Sequence, residues 1–198
     1  MKNKSIIIGV AGHIASGKSE VCRYLAHLGA GYIEADEVVS DLYRKDGDGY
    51  RKIASYFGSE YLKKNGEINR RKLAKFVFSD SRKIKILNSL IHPLVNREIG
   101  RMLSAKKQKL IVIEAAYFEK KGLMGLVDGI IWVDCERAKL KKRAIANNNI
   151  SAEMFEQIME AQHKPEKIDF IVKNNGNLSD LHALVDKIYP ALLSLTGV

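Results

Sequence analysis

Residues 12–19 read Gly12-His13-Ile14-Ala15-Ser16-Gly17-Lys18-Ser19, the pattern G-x-x-x-x-G-K-S. That spacing belongs to loops that cradle a polyphosphate. Such a ligand needs many donors converging on it with no side chains in the way. Gly12 and Gly17 let the backbone curl and approach closely. The backbone amides from Ile14 to Ser19 are expected to face the phosphates at a helix N-terminus, where the helix dipole favours anions. Lys18 places a point charge on the terminal phosphates, and the Ser19 hydroxyl can hold Mg²⁺. Glu20 closes the stretch in the first helical turn and is expected to face solvent. A glycine-rich turn with an accidental lysine is the plainer alternative. The apolar run before the loop and the helical pattern after it argue against that. The loop points to a nucleoside triphosphate and leaves open what the triphosphate is used for.

Other residues could serve a phosphoryl acceptor. Asp36 follows a second short apolar run, and ligands of open parallel sheets bind at the carboxyl edge of the strands. Transfer to a hydroxyl needs a carboxylate that accepts or orients its proton. Asp36 suits that role; the alternative is an N-cap for a helix over Glu37–Tyr43. Glu34 is read as alternating away from Asp36 and not equivalent to it. Glu114 ends another strand and suits either Mg²⁺ through water or a strand-end acid with no ligand. Arg70 and Arg71 follow the turn Lys64-Asn65-Gly66. Arginine grips phosphate through two parallel hydrogen bonds, and solvated surface charge is the other reading. His92-Pro93 lies between two apolar helical segments in the same basic region. In the stretch Arg137, Lys139, Lys141, Lys142 and Arg143, one guanidinium is expected to reach the transferring group or stack on a base.

Elements must position these groups. Five short apolar runs, Ser5–Val10, Gly31–Ala35, Lys109–Ile113, Gly129–Val133 and Asp169–Val172, are separated by helical stretches, which means an α/β parallel sheet. The first run reads as a strand buried on both faces. A helix over Ser19–Leu28 follows, with Gly29 as its C′ glycine. More than seventy residues then separate the second and third runs. They carry helical patterns at Arg51–Phe57, Arg71–Phe78, Lys83–Ile91 and Leu94–Leu103. That is too much for one crossover helix. A helical lobe, 39–104, inserted in a core of 1–38, 105–135 and 166–198 is expected. Residues 136–165 form a second helical excursion, broken at Asn147-Asn148-Asn149 and restarted at Ser151. Pro190 is expected to bend or break the tail helix over Ser179–Leu195.

Composition narrows the classes. The 198 residues are 46% hydrophobic and 28% charged, which suits one compact domain with a small inserted lobe and disfavours extended disorder. No apolar run approaches the roughly 18 residues of a membrane span. The basic start Met1-Lys2-Asn3-Lys4 is followed by an apolar stretch that ends at Gly12, with no small-residue cleavage site before Lys18, so no signal peptide is expected. Two cysteines, Cys22 and Cys135, make neither a disulfide framework nor a four-ligand zinc site. A reducing, cytoplasmic setting fits. Net charge is +10. Residues 39–104 carry 15 Lys+Arg against 7 Asp+Glu, a net +8, with seven of the fifteen aromatics. A basic field so concentrated favours a polyanion, either nucleic acid or a multiply phosphorylated small molecule. A nucleotide switch or nucleic-acid binder would need an N-K-x-D motif or a recognisable binding module, and neither is present.

The motifs also fall into one order along nearly the whole chain. After the loop come Ile33-Glu34-Ala35-Asp36, Gly66-Glu67-Ile68-Asn69-Arg70-Arg71-Lys72-Leu73 and Val77-Phe78-Ser79-Asp80. Leu87-Asn88-Ser89-Leu90-Ile91-His92-Pro93-Leu94-Val95, Leu140-Lys141-Lys142-Arg143, Gln157-Ile158 with Ala161-Gln162, and Asp169 to Gly176 follow. In this order the chain resembles the dephospho-coenzyme A kinases, P-loop kinases that complete coenzyme A synthesis. It departs from them at His13, Ala15, Glu34, Asn69 and Asn147, and in Ala115-Ala116-Tyr117-Phe118-Glu119, which stands for P-L-L-F-E. The resemblance implies an α/β P-loop NTPase fold: a five-stranded parallel sheet flanked by helices, an inserted helical acceptor lobe and a helical lid over 136–165. It implies phosphorylation of the ribose 3′-hydroxyl of dephospho-coenzyme A, with ATP and Mg²⁺, giving coenzyme A and ADP. Catalysis would rest on Asp36, Lys18 and Arg143. ATP would lie against Gly12 to Glu20 and Asn175, with Ser19 on the metal. The acceptor would meet Asp36, Arg70, His92 and Pro93. The partner would be this small molecule, with no nucleic acid and no membrane, the chain being a monomer or weak homo-oligomer. The stretch Ala15-Ser16-Gly17-Lys18-Ser19 alone also fits a kinase of a nucleoside, nucleotide or sugar, which leaves His92-Pro93 and Asn174-Asn175-Gly176 unexplained.

Overall fold

The computed structural model describes residues 5–77, 79–118, 122–148 and 150–195. Met1–Lys4, Phe78, Glu119 and Asn149, which figure in the motifs above, lie outside the described residues. The chain forms two compact units, Met1–Glu34 with Ala105–Val198, and Ala35–Ser104.

The first unit is built on five strands: β1 (Ile6–Gly12), β2 (Gly31–Glu34), β3 (Leu110–Glu114), β4 (Gly129–Asp134) and β5 (Phe170–Lys173). Every pairing is parallel and the order is β2-β3-β1-β4-β5, with β1 at the centre. The register sets Val10 and Glu34 on either side of Glu114, and Gly12 beside Val133. Side chains alternate across the sheet. On one face Ile6, Ile8 and Val10 meet Val21, Cys22 and Leu25 of α1 (Lys18–His27) and Leu181, Val185 and Leu192 of α8 (Leu178–Ser194). Each large apolar side chain buried there stabilises the fold by roughly 1.5–3 kcal/mol. On the other face a Cβ at Gly9 would lie 2.5 Å from Ile130 and 2.6 Å from Phe118, so only glycine lets Phe118 close over the strand. Helices α6 (Arg137–Asn148) and α7 (Ala152–Ala161) enclose Phe155 with Cys135, Leu140 and Ala144. Ser151 caps α7 by accepting from the Met154 N–H at 3.2 Å.

The second unit holds α2 (Ala35–Leu42), α3 (Asp48–Phe57), α4 (Arg70–Val77) and most of α5 (Ser81–Ala105). Within it Phe57 meets Tyr61 and Phe76 edge-to-face, and the Tyr61 and Phe76 rings are tilted at 40° to each other.

Several boundaries differ from the sequence expectation. β1 runs two residues past Val10, and β3, β4 and β5 each run one residue further. Ladder pairing continues where side-chain polarity changes, as at Glu114. β2 stops at Glu34, and α2 begins at Ala35, so Asp36 lies inside the first helical turn and is not an N-cap. Neither proline ends its helix. α5 passes through Pro93 because its buried stripe, Ile91, Leu94, Val95 and Ile99, continues across it. α8 passes through Pro190 with Val185 and Leu192 buried on both sides. Proline costs a helix about 3 kcal/mol, and the packing on each side outweighs it.

Candidate active site

β1 ends at Gly12 and α1 starts at Lys18, so the loop between them lies at the carboxyl edge of the central strand. Two residues hold it in left-handed backbone: Ala15 at φ 59° and Gly17 at φ 97°. A Cβ on Gly17 would fall 2.3 Å from Asn174 Nδ2, and one on Gly12 would fall 2.5 Å from Ser16 Oγ and 2.6 Å from the Val133 carbonyl. The glycines therefore serve close packing beneath the loop as well as turning. The amides expected to face phosphate divide. Ile14 N–H donates to Gln162 Oε1 at 2.8 Å, and Ser16 N–H donates to the His13 carbonyl at 3.1 Å. At the start of α1 the Glu20 and Val21 N–H groups both donate to the Gly17 carbonyl at 3.1 Å, which ties the helix to the end of the loop. Lys18 Nζ donates to the His13 carbonyl at 3.2 Å.

Beside the loop stands a chain of hydrogen bonds. Ser19 Oγ donates to Glu114 Oε1 at 2.7 Å, and the Tyr32 hydroxyl donates to Glu114 Oε2 at 2.5 Å. Glu114 is only 7% exposed. The same Tyr32 oxygen lies 3.3 Å from Glu34 Oε2, so Glu34 joins this group. Burial first, then Glu114, pushes the Tyr32 phenol far above its ordinary range.

The loop rests on the turn after β5. Buried Asn174 donates from Nδ2 to the Ser16 carbonyl at 2.7 Å. Asn175 turns the other way: its Oδ1 accepts from Glu136 N–H at 2.9 Å, and its carbonyl from Lys139 Nζ at 2.7 Å. Arg143 donates to the carbonyls of Asn174 at 3.1 Å and Gly176 at 3.5 Å, so it braces this turn. On the far side His13 meets Trp132 edge-to-face, ring centroids 5.0 Å apart, and the Lys164 ammonium lies over the same Trp132 ring. Burial first, then Lys164, lowers the His13 pKa. Glu20 does not simply face solvent. It bonds Arg23 at 3.0 Å and His182 at 3.3 Å; burial opposes its charge, but these bonds hold its pKa below the usual value.

In the second unit Asp36 is exposed in the first turn of α2. One turn further, Ser40 receives the Arg70 guanidinium on its hydroxyl and its carbonyl, both at 3.1 Å. Residues four apart share a helix face, so Arg70 stands along the face that carries Asp36. Arg70 also lines a cavity of about 460 Å³ with Tyr43, Arg44, Lys45, Lys63 and Arg71. His92 is half-buried and Pro93 exposed within α5.

The family model for dephospho-CoA kinase matches residues 6–180. The chain is 34% identical over 186 residues to the dephospho-CoA kinase of Fusobacterium nucleatum, covering 92% of this chain and 96% of that one. The chain belongs to the dephospho-CoA kinase family. Among solved structures, dephospho-CoA kinase from Campylobacter jejuni superposes with TM-score 0.66 at 26% identity, covering 98% of both chains. A Thermus thermophilus protein superposes with TM-score 0.82 at 28% identity, over 98% of this chain and 99% of that one.

Against this family's needs the donor set fits. The Ser19 hydroxyl and the Glu114 carboxylate are hard oxygen donors of the kind Mg²⁺ takes beside phosphate oxygens and water. Ser16 Oγ is buried without a hydrogen-bond partner among the described residues, a polar atom left under the loop. Tyr32, Asn174 and Gln162 escaped the sequence reading as functional groups. Only the second asparagine of Asn174-Asn175-Gly176 was expected to act, yet the first one supports the loop.

Proposed function

We propose that this dephospho-CoA kinase family member transfers the γ-phosphoryl group of ATP to the ribose 3′-hydroxyl of dephospho-coenzyme A. The observation that carries the reading is the loop from Gly12 to Ser19, with Ser19 bonded to buried Glu114, in a chain that matches the family over nearly its full length. The new bond joins the acceptor oxygen to the γ-phosphorus. The bond from that phosphorus to the β–γ bridging oxygen breaks, and its electrons leave with ADP. Lys18 neutralises charge on the terminal phosphates. Asp36, two residues past the end of β2, takes the hydroxyl proton. Ser19, with Glu114 behind it, would hold Mg²⁺, which would supply charge neutralisation for the phosphates.

The remaining roles follow. Arg143 is the catalytic arginine of the lid, carried against the turn Asn174 to Gly176, and Asn175 in that turn serves the adenine side. The cavity lined by Arg70 and four other cations, against the single acid Glu67, suits the acceptor's diphosphate, and His92 and Pro93 belong to the same acceptor lobe. The helices over 136–165 act as a lid that excludes water during transfer. The protein works in the cytoplasm, as a monomer or weak homo-oligomer, with no nucleic acid or membrane partner. The test is a mass-spectrometric assay with ATP, Mg²⁺ and dephospho-coenzyme A beside nucleosides and sugars. One phosphoryl group gained by dephospho-coenzyme A alone is expected. Transfer to another acceptor, with none to dephospho-coenzyme A, overturns the reading.

A further inference from the structure

We propose that the Tyr32 hydroxyl is a positioning group for the nucleotide's metal ion: it holds Glu114, and Glu114 fixes the Ser19 hydroxyl. The inference rests on the Mg²⁺·ATP reading of the loop. Tyr32 is on β2, one strand beyond β3 and two beyond the strand that leads into the loop. Its bond to Glu114 joins residues 82 apart in sequence.

The geometry divides the work. Each oxygen of the Glu114 carboxylate receives one donor, Ser19 Oγ on Oε1 and Tyr32 on Oε2. A carboxylate held at both oxygens cannot turn without breaking a bond. The Ser19 proton is thereby committed to Glu114. Its lone pairs point elsewhere, and only lone pairs serve a cation. A second carboxylate adds to the need for Tyr32. Glu34 and Glu114 are register partners on neighbouring strands, and like charges so placed repel. The Tyr32 oxygen lies within 3.3 Å of Glu34 while donating to Glu114, so it screens one carboxylate from the other.

Tyr32→Phe removes one oxygen and keeps the ring. ATP is titrated calorimetrically into the full chain with Mg²⁺ and again with a chelator. The readout is the ratio of the two dissociation constants. The ratio is expected to fall about threefold to tenfold, the size of one charge-assisted hydrogen bond partly transmitted, while metal-free ATP binds as before. An unchanged ratio overturns the proposal. So does an equal loss of affinity with and without metal, which marks a purely structural role. Glu114→Gln tests the same relay independently of whether Tyr32→Phe folds. Its ratio falls at least as far if the relay exists, and an unchanged ratio overturns it. In the Glu114→Gln background, Tyr32→Phe should have no further effect on the ratio; additive losses overturn the relay. These titrations involve no acceptor, so failure to phosphorylate dephospho-coenzyme A would sink the function reading and leave this one standing.

Discussion

Asn174→Ala removes the side chain that carries a hydrogen bond from the turn after β5 to the phosphate loop. Its Nδ2 donates to the Ser16 carbonyl at 2.7 Å, Asn174 is 7% exposed, and Ser16 is fully buried. The alanine variant leaves that carbonyl with neither its donor nor free access to water. Such an orphaned buried acceptor costs about 1–3 kcal/mol. Taking about 2 kcal/mol, the melting temperature of a chain this long falls by roughly 4–8 °C. If the loop bears the whole loss as disorder, ATP affinity falls by up to about 30-fold, since about 1.4 kcal/mol is a factor of ten. Asn174→Asp should be worse than alanine, because it sets a carboxylate oxygen against the Ser16 carbonyl. Asn175→Ala is the contrast. It loses the bond to the Glu136 N–H and leaves Ser16 bonded. It should cost about 1 kcal/mol, as a lost helix cap does, with a smaller effect on ATP. Calorimetric unfolding and ATP titration measure both quantities. Wild-type melting temperature and wild-type ATP affinity in Asn174→Ala would refute the reasoning.

Asp36→Asn should lower kcat by about 10²–10⁴-fold with ATP affinity unchanged; turnover near wild type removes Asp36 as the base. His13 has a folded pKa below 6.5, from burial and Lys164, with Asp134 opposing. The unfolded chain therefore takes that proton first, so this contribution to stability is complete above pH 6.5 and is lost as pH falls through the folded value. Between about pH 7 and about pH 5 the melting temperature of wild type should drop more than that of His13→Gln, and parallel curves would count against this. Burial first, with Glu114 adding, raises the Cys22 thiol well above its ordinary range, and burial also raises Cys135. A thiol reagent at neutral pH should label fully buried Cys22 only as fast as the chain unfolds; rapid labelling of the native protein would contradict the packing.

Much of the sheet unit was legible because its signals are local. β-branched runs gave the five strands within one or two residues, and Gly29 at φ 100° ends α1 as its spacing implies. The loop was legible for the same reason: eight consecutive residues share one backbone path. Helix continuity was not. Proline's local penalty at Pro93 and Pro190 predicts two breaks, and burial of Ile91, Leu94, Val95, Ile99 and Leu192 overrides both.

The amino-acid sequence by itself determined the class of chemistry, the family and the location of the basic lobe, since contiguous motifs and charge counts carry those. Only the tertiary structure decided which groups support them. Tyr32 meets Glu114 because β2 and β3 are neighbours, and Asn174 meets Ser16 across 158 residues because β5 returns beside β4. A buried donor finds its acceptor through strand order and register, and no spacing along one segment encodes either.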